Sequence, residues 1–159
     1  KYYSNSENLP IVTVRPFHVY GPYESHTRLI PTLISSITKG KKISLVDPKI
    51  SRDLIYIDDL IKFYIFLSNF KKQKYINGKV YNLGYGRRIT IKMIFETLKK
   101  VSKSKTKPKW NTMKNRSWDQ KIWVADMSHV RKILKWSPKI NYIKGLKNSY
   151  YFFKKFYEK

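Results

Sequence analysis

An α/β fold is what this sequence predicts, on three observations. Strand-like runs rich in β-branched residues alternate with helix-like runs of three- and four-residue apolar spacing. Turn residues mark most changes of period, as at Tyr20-Gly21-Pro22, Gly40 and Pro48. With 159 residues, 42% hydrophobic and 16% aromatic, the chain can bury a core and is too apolar for a disordered segment.

The elements follow in order. Ile11–Phe17 reads as a strand closed by the Tyr20-Gly21-Pro22 turn. From Arg28 to Thr38, apolar residues at Leu29, Ile30, Leu33, Ile34 and Ile37 predict a helix stopped by Gly40, with Pro31 in its first turn. Ile43–Val46 and Leu54–Ile57 read as short strands. Asp58 or Asp59 is expected to cap a helix running to about Phe70, with apolar faces broad enough for deep burial. Lys79–Leu83 is a buried strand, and Thr90 is the N-cap of a helix to Val101. Lys103–Lys109 reads as a polar, mobile connection; a short helix from Asp126 or Ser128 to Leu134 and a last one over Ile143–Tyr157 complete the chain.

Charge needs its own account. The net charge is +24, a value usual for nucleic-acid binders, yet only seven of the 34 basic residues are arginine. The lysines are spread along the whole chain and read as solvated faces. Such a surface steers anions inward and attracts nucleic acid non-specifically. Zero cysteines exclude disulfides and thiolate metal sites, and His18, His26 and His129 have no metal-ligand spacing. No apolar run approaches a membrane span and no signal-like start is seen, so the expected compartment is the cytoplasm.

The most informative stretch is Arg116-Ser117-Trp118-Asp119-Gln120-Lys121-Ile122-Trp123-Val124-Ala125-Asp126, running into Val130 and Trp136-Ser137-Pro138. An arginine fork grips phosphate oxygens, while a carboxylate three residues on suits the paired hydroxyls of a ribose. Together they describe a pocket for a nucleoside diphosphate. Read blandly, the same Arg116 and Asp119 form a surface ion pair worth little.

This segment resembles the C-terminal signature of nucleotide-sugar epimerases and dehydratases, the extended branch of the short-chain dehydrogenase/reductase superfamily. Three upstream segments agree with it in order: Leu9-Pro10-Ile11-Val12-Thr13-Val14-Arg15-Pro16-Phe17-His18-Val19-Tyr20-Gly21-Pro22, Ser51-Arg52-Asp53-Leu54-Ile55-Tyr56-Ile57-Asp58-Asp59-Leu60, and Val80-Tyr81-Asn82-Leu83-Gly84. The resemblance implies the C-terminal part of a Rossmann-like enzyme, including its small substrate-binding α/β domain, over residues 1–159.

The family's Gly-rich turn and its Y-x-x-x-K pair do not occur in this sequence. The expectation is therefore that NAD or NADP is bound mainly by an N-terminal half or a partner subunit outside this chain, and that these 159 residues alone are inactive. The apolar edge facing that half is expected to be exposed and prone to association. In the intact enzyme the resemblance implies a homodimer. It also implies transient oxidation of the sugar by a Tyr–Lys pair and nicotinamide, then an epimerase, dehydratase or reductase outcome.

Residue roles carry over only by that match. Arg116 would contact the diphosphate, Asp119 the ribose, and Trp123 would stand as a flat wall where the family often has Tyr. Arg52 matches the family's diphosphate arginine, although anchoring Asp53 or a backbone carbonyl would also explain it. His18 occupies a position where the family commonly has Asn, which leaves sugar choice open. Arg28 and Leu29 resemble a substrate loop whose backbone meets the base, and a plain helix start fits them equally. Pro16 and Phe17 would meet the cofactor through their backbone. Tyr20 and Pro22 shape a loop, Asn82 braces one, and Trp136 and Pro138 are core and helix stop. Two further classes stay open: a non-catalytic sugar-nucleotide sensor or remnant, and a basic nucleic-acid module with stacking aromatics.

Overall fold

In the computed structural model, which describes residues 2–7, 9–113 and 120–157, β-branched runs and amphipathic helices alternate as expected. The elements are α1 (Tyr2–Ser6), β1 (Thr13–Pro16), β2 (His18–Tyr20), α2 (Leu29–Thr38), β3 (Ser51–Arg52), β4 (Leu54–Tyr56), α3 (Ile57–Ser68), a 3₁₀ turn at Gln73–Tyr75, β5 (Val80–Leu83), β6 (Ile89–Thr90), α4 (Ile91–Ser102), β7 (Ile122–Trp123), α5 (Ser128–Ile133) and α6 (Tyr142–Tyr157).

The strand expected over Ile11–Phe17 divides at Phe17. Phe17 N–H donates to Leu83 O at 2.8 Å, and the next residue's N–H, that of His18, donates to Asp53 O at 3.1 Å. Successive residues thus bond to different strands. β1 pairs in parallel with β5, placing Arg15 opposite Asn82, while β2 pairs in parallel with β4. A three-stranded sheet of order β6-β3-β7 crosses nearby and places Arg52 opposite Trp123.

Two apolar cores lie on opposite sides of β4. Leu54 and Tyr56 face the first, with Ile30, Leu33, Ile34 and Ile37 of α2, Ile94, Phe95 and Leu98 of α4, and Leu146, Tyr150 and Phe153 of α6. Ile55 faces the second, with Phe63 and Leu67 of α3, Tyr81 and Leu83 of β5, and Val130 of α5. The strand's two-residue alternation is what lets one strand serve both. Gly145 in α6 is a close-approach position, because a Cβ there would overlap the Tyr20 hydroxyl. Tyr20 is accordingly a buried strand residue, 1% exposed, and not the loop-shaping residue expected from its Gly-Pro neighbours.

Several local expectations change. Ile43–Val46 is not a strand. It makes one bridge, Ser44 to Lys109, with Leu45 N–H on Lys109 O and Lys109 N–H on Ile43 O, both 2.8 Å. The same bonds tether the 103–109 connection, where the Ser102 hydroxyl accepts from Ser104 N–H, the Ser104 hydroxyl accepts from Thr106 N–H and donates to Thr106 Oγ1, and Thr106 is buried. Lysine content made that segment read as mobile; the hydroxyls between the lysines hold it. Thr90 does cap α4, accepting from Met93 N–H at 3.1 Å. Neither Asp58 nor Asp59 is an N-cap: α3 begins after Tyr56 with no side-chain cap. Asp59 is 1% exposed, and its Oδ2 instead accepts from Lys139 and Ile140 N–H at 2.9 and 2.7 Å, fastening the approach to α6.

β1 pairs on one side only among the described residues. Thr13 and Phe17 direct their N–H groups toward the β5 side, so Val14 and Pro16 turn theirs to the other edge, where a proline's missing donor costs no ladder bond. Leu9 and Ile11, just before β1, are 44% and 38% exposed. Among the described residues no helix is long and apolar enough to cross a membrane.

Candidate functional site

At the C-terminal ends of β1 and β3 lies a cavity of about 530 Å³ lined by Arg15, Pro16, Phe17, His18, Arg28, Arg52, Asp53, Asn82 and Trp123. The matched segments converge here because the parallel pairings set them side by side. Arg15 and Asn82 come from paired positions of β1 and β5, and Arg52 and Trp123 from paired positions of β3 and β7.

Asp53 makes the floor. It is 1% exposed, and its carboxylate accepts from Tyr85 N–H (2.8 Å), Gly86 N–H (2.9 and 3.1 Å to the two oxygens) and Ala125 N–H (3.0 Å). One buried anion thus ties the β3–β4 junction to the loop after β5 and to the chain leaving β7. Gly84 allows the approach, since a Cβ there would overlap the Asp53 carboxylate and stand 2.8 Å from Ala125 Cβ. The glycine of the Tyr-Asn-Leu-Gly motif is explained by packing alone.

Arg52 Nη1 donates to Ser51 O and Gln120 O, both at 2.9 Å, so the backbone-anchoring reading of this residue is realised while it lines the cavity. Arg28 is the N-cap residue of α2 with no side-chain cap, and its Nε lies 3.5 Å from Glu24 Oε1. Leu29 packs on the first core and is not part of the cavity wall. Trp123 is 54% exposed, with its ring edge-on to Phe17 at 6.2 Å. Pro16 has no N–H and that of Phe17 is engaged by Leu83, so this pair can offer the cavity only carbonyls and a ring. Arg116 and Asp119 lie outside the described residues.

His18 is buried, and burial, followed by the fields of Arg28 and Arg52, lowers its pKa from 6.5 to about 4. At neutral pH it is an uncharged imidazole with one donor and one acceptor nitrogen. Glu24 Oε1 stands 3.9 Å from His18 Nε2, but this is not an ion pair at neutral pH, because the imidazole is then uncharged. Burial likewise raises Glu24 from 4.5 to about 7, partly offset by Arg28.

Three guanidiniums therefore face one cavity whose lining carboxylate is already saturated by N–H donors, a field suited to an anion. Sequence reasoning missed Asn82 as a wall residue, having assigned it to bracing a loop, and assigned no role to Arg15 or Glu24. Strand register exposes the first two; no short-range signal marks Glu24. Among the described residues no three His, Asp or Glu gather as metal ligands.

Residues 1–84 match the family model described as the NAD dependent epimerase/dehydratase family. A UDP-glucuronate 4-epimerase of Thermodesulfobacterium geofontis is 32% identical over 149 residues, 92% of this chain and 44% of that protein. A CDP-abequose synthase of Salmonella muenchen is 26% identical over 92% of the chain and 49% of that protein. The crystal structure of a UDP-glucuronic acid 4-epimerase from Bacillus cereus, in complex with UDP-glucuronic acid and NAD, superposes with a TM-score of 0.88. It is 29% identical and covers 98% of this chain and 49% of that one. The chain spans about half the length of the curated relatives it matches.

Proposed function

The chain belongs to the NAD dependent epimerase/dehydratase family, and on that premise we propose that it forms the nucleotide-sugar-binding part, residues 1–159, of an NAD(P)-dependent enzyme acting on a nucleoside-diphosphate sugar through a transient keto-sugar. The observation that carries this reading is the convergence of Arg15, Arg28 and Arg52 on one cavity beside a flat aromatic wall, Trp123. Arg28 and Arg52 would hold the diphosphate by charge-assisted hydrogen bonds. His18 and Asn82 would contact the sugar end, and Trp123 would limit the space open to the nucleoside. Arg116 and Asp119 complete the set by resemblance.

Binding energy from the remote nucleotide would hold the sugar still at its reacting carbon. NAD(P), when bound, supplies hydride exchange with the sugar. This chain would meet it at Pro16 and Phe17, whose carbonyl oxygens and ring suit contact with the nicotinamide end. Its principal binding residues and the proton-transferring Tyr–Lys pair would lie outside these residues, on polypeptide completing the sheet at the open edge of β1. Exposed Leu9 and Ile11 near that edge support this placement.

The test is calorimetry on the full-length protein in its NAD-bound form, titrated with UDP-, dTDP-, CDP- and GDP-glucose. One class should bind, and Arg52→Ala or Arg28→Ala should weaken it roughly 10- to 100-fold, the loss of a hydrogen bond to a charged group. Unchanged affinity in both variants, or no binding of any sugar nucleotide, would refute the assignment.

A further inference from the structure

Behind the cavity wall sits a carboxyl group that the reading above leaves unused. Glu24 lies in the loop between β2 and α2, with its side chain 8% exposed. It contacts the two wall residues His18 and Arg28, at 3.9 and 3.5 Å, and is not itself part of the lining. His18 Nε2 has no hydrogen-bond partner among the described residues, and Glu24's partners are the Arg28 guanidinium and the Gly21 backbone. A buried carboxylate is costly to charge, and Arg28 is the cation offsetting it.

A diphosphate entering the cavity would compete for the same guanidinium and bring further negative charge toward Glu24. Two anions on one arginine in a water-poor corner favour discharge of the weaker acid's conjugate base, which is the carboxylate. We propose that Glu24 is a positioning residue that takes up one proton when an anionic diphosphate occupies the cavity, releasing Arg28 from an internal carboxylate to the ligand. The step adds one solvent proton to Glu24, and no bond of the ligand changes. It rests on the assignment of Arg28 to the diphosphate.

The surroundings favour this exchange near neutrality. Burial holds Glu24 at about 7, so the empty site is close to half-ionised at neutral pH. The charged and titratable groups facing it are Arg28 on its own loop and His18 and Tyr20 from β2. The field of Arg52 reaches His18, and those of Tyr56, Asp59 and Tyr85 reach Tyr20. His18 stays neutral down to about pH 4, and Tyr20 is pushed well above the ordinary phenol range by burial and then by Tyr56, Asp59, Tyr85 and Glu24. Of His18, Tyr20 and Glu24, Glu24 is therefore the one that can exchange a proton between pH 6 and 8.

The experiment is calorimetry on the full-length, NAD-bound protein with UDP-, dTDP-, CDP- and GDP-glucose, whose diphosphates have no proton to lose in this range. Titrations run at pH 6, 7 and 8 in buffers of different ionisation enthalpy. The expected result is uptake of roughly half a proton per site at pH 7 and more at pH 8. Affinity should fall by up to about tenfold per pH unit above Glu24's pKa. Glu24→Gln should bind with no uptake and a flat pH profile, and Glu24→Asp should restore part of both. Wild-type binding without buffer-dependent enthalpy overturns the inference alone, whatever the variants do. Equal uptake in wild type and Glu24→Gln does the same. Absence of any binding at all three pH values overturns the diphosphate assignment together with it.

Discussion

Replacing Glu24 with glutamine should uncover two opposing pH dependences of stability that cancel in the unmodified protein. Glu24 rises from 4.5 to about 7 on folding, chiefly by burial, so between those values the native state keeps a proton the unfolded state has lost. Its contribution is complete below pH 4.5 and is lost as pH rises through 7. His18 falls from 6.5 to about 4, chiefly by burial, so in that window the unfolded state binds the extra proton. Its contribution is complete above pH 6.5 and is lost as pH falls through 4. Each shift corresponds to about 3 kcal/mol at 1.36 kcal/mol per unit, and the side chains are only 16% and 8% exposed, so solvent screening removes little of it. Arg28 lowers both groups, and neither residue is among the groups that shift the other. Urea unfolding of wild type and Glu24→Gln, in half-unit steps from pH 4 to 7.5, measures the difference directly. Relative to wild type, the variant should gain about 3 kcal/mol between pH 4.5 and 7. His18→Gln should gain a comparable amount as pH falls from 6.5 to 4. A stability difference between Glu24→Gln and wild type that stays constant across this range would show that Glu24 ionises normally, and would sink the argument.

Two further outcomes follow from buried contacts. Asp59→Ala leaves the Lys139 and Ile140 N–H groups without their acceptor and should cost about 3 kcal/mol in urea unfolding. Amide exchange at Ile140 should accelerate, and an unchanged exchange rate would rule out the tether. Gly145→Ala should destabilise by about 1–3 kcal/mol in thermal unfolding despite alanine's better helix propensity, because the new Cβ meets the Tyr20 hydroxyl. Adding Tyr20→Phe should recover part of the loss, and a melting temperature raised by Gly145→Ala alone would contradict the close approach.

Much of the fold was legible from local pattern. The α2 stripe Ile30, Leu33, Ile34 and Ile37 is buried as its spacing required, and Thr90 caps α4 because a hydroxyl before an apolar run has few other local uses. Misreadings fell where a side chain's partner was remote. Asp58 and Asp59 had the sequence of caps, but the N–H donors to Asp59 sit about eighty residues on. Ile43–Val46 had strand composition and found one bridging residue, Lys109. The short helix over Tyr2–Ser6 is below the length at which any periodicity shows.

The candidate site divides in the same way. Resemblance to the family's motifs marked His18, Arg28, Arg52 and Trp123, because each stands at a motif position that can be matched from the sequence without knowing its neighbours in space. Arg52 and Trp123 meet only because β3 pairs with β7, His18 is held beside them by the pairing of β2 with β4, and Arg15 and Asn82 join the same cavity through the pairing of β1 with β5. Tertiary structure also decided that Asp53 accepts from three backbone N–H groups while Glu24 is buried against Arg28 and the Gly21 backbone, with burial the larger influence. Two carboxylates of similar intrinsic acidity acquire different roles through burial and donor count, and those are properties of the packed chain, not of the residue or its sequence neighbours.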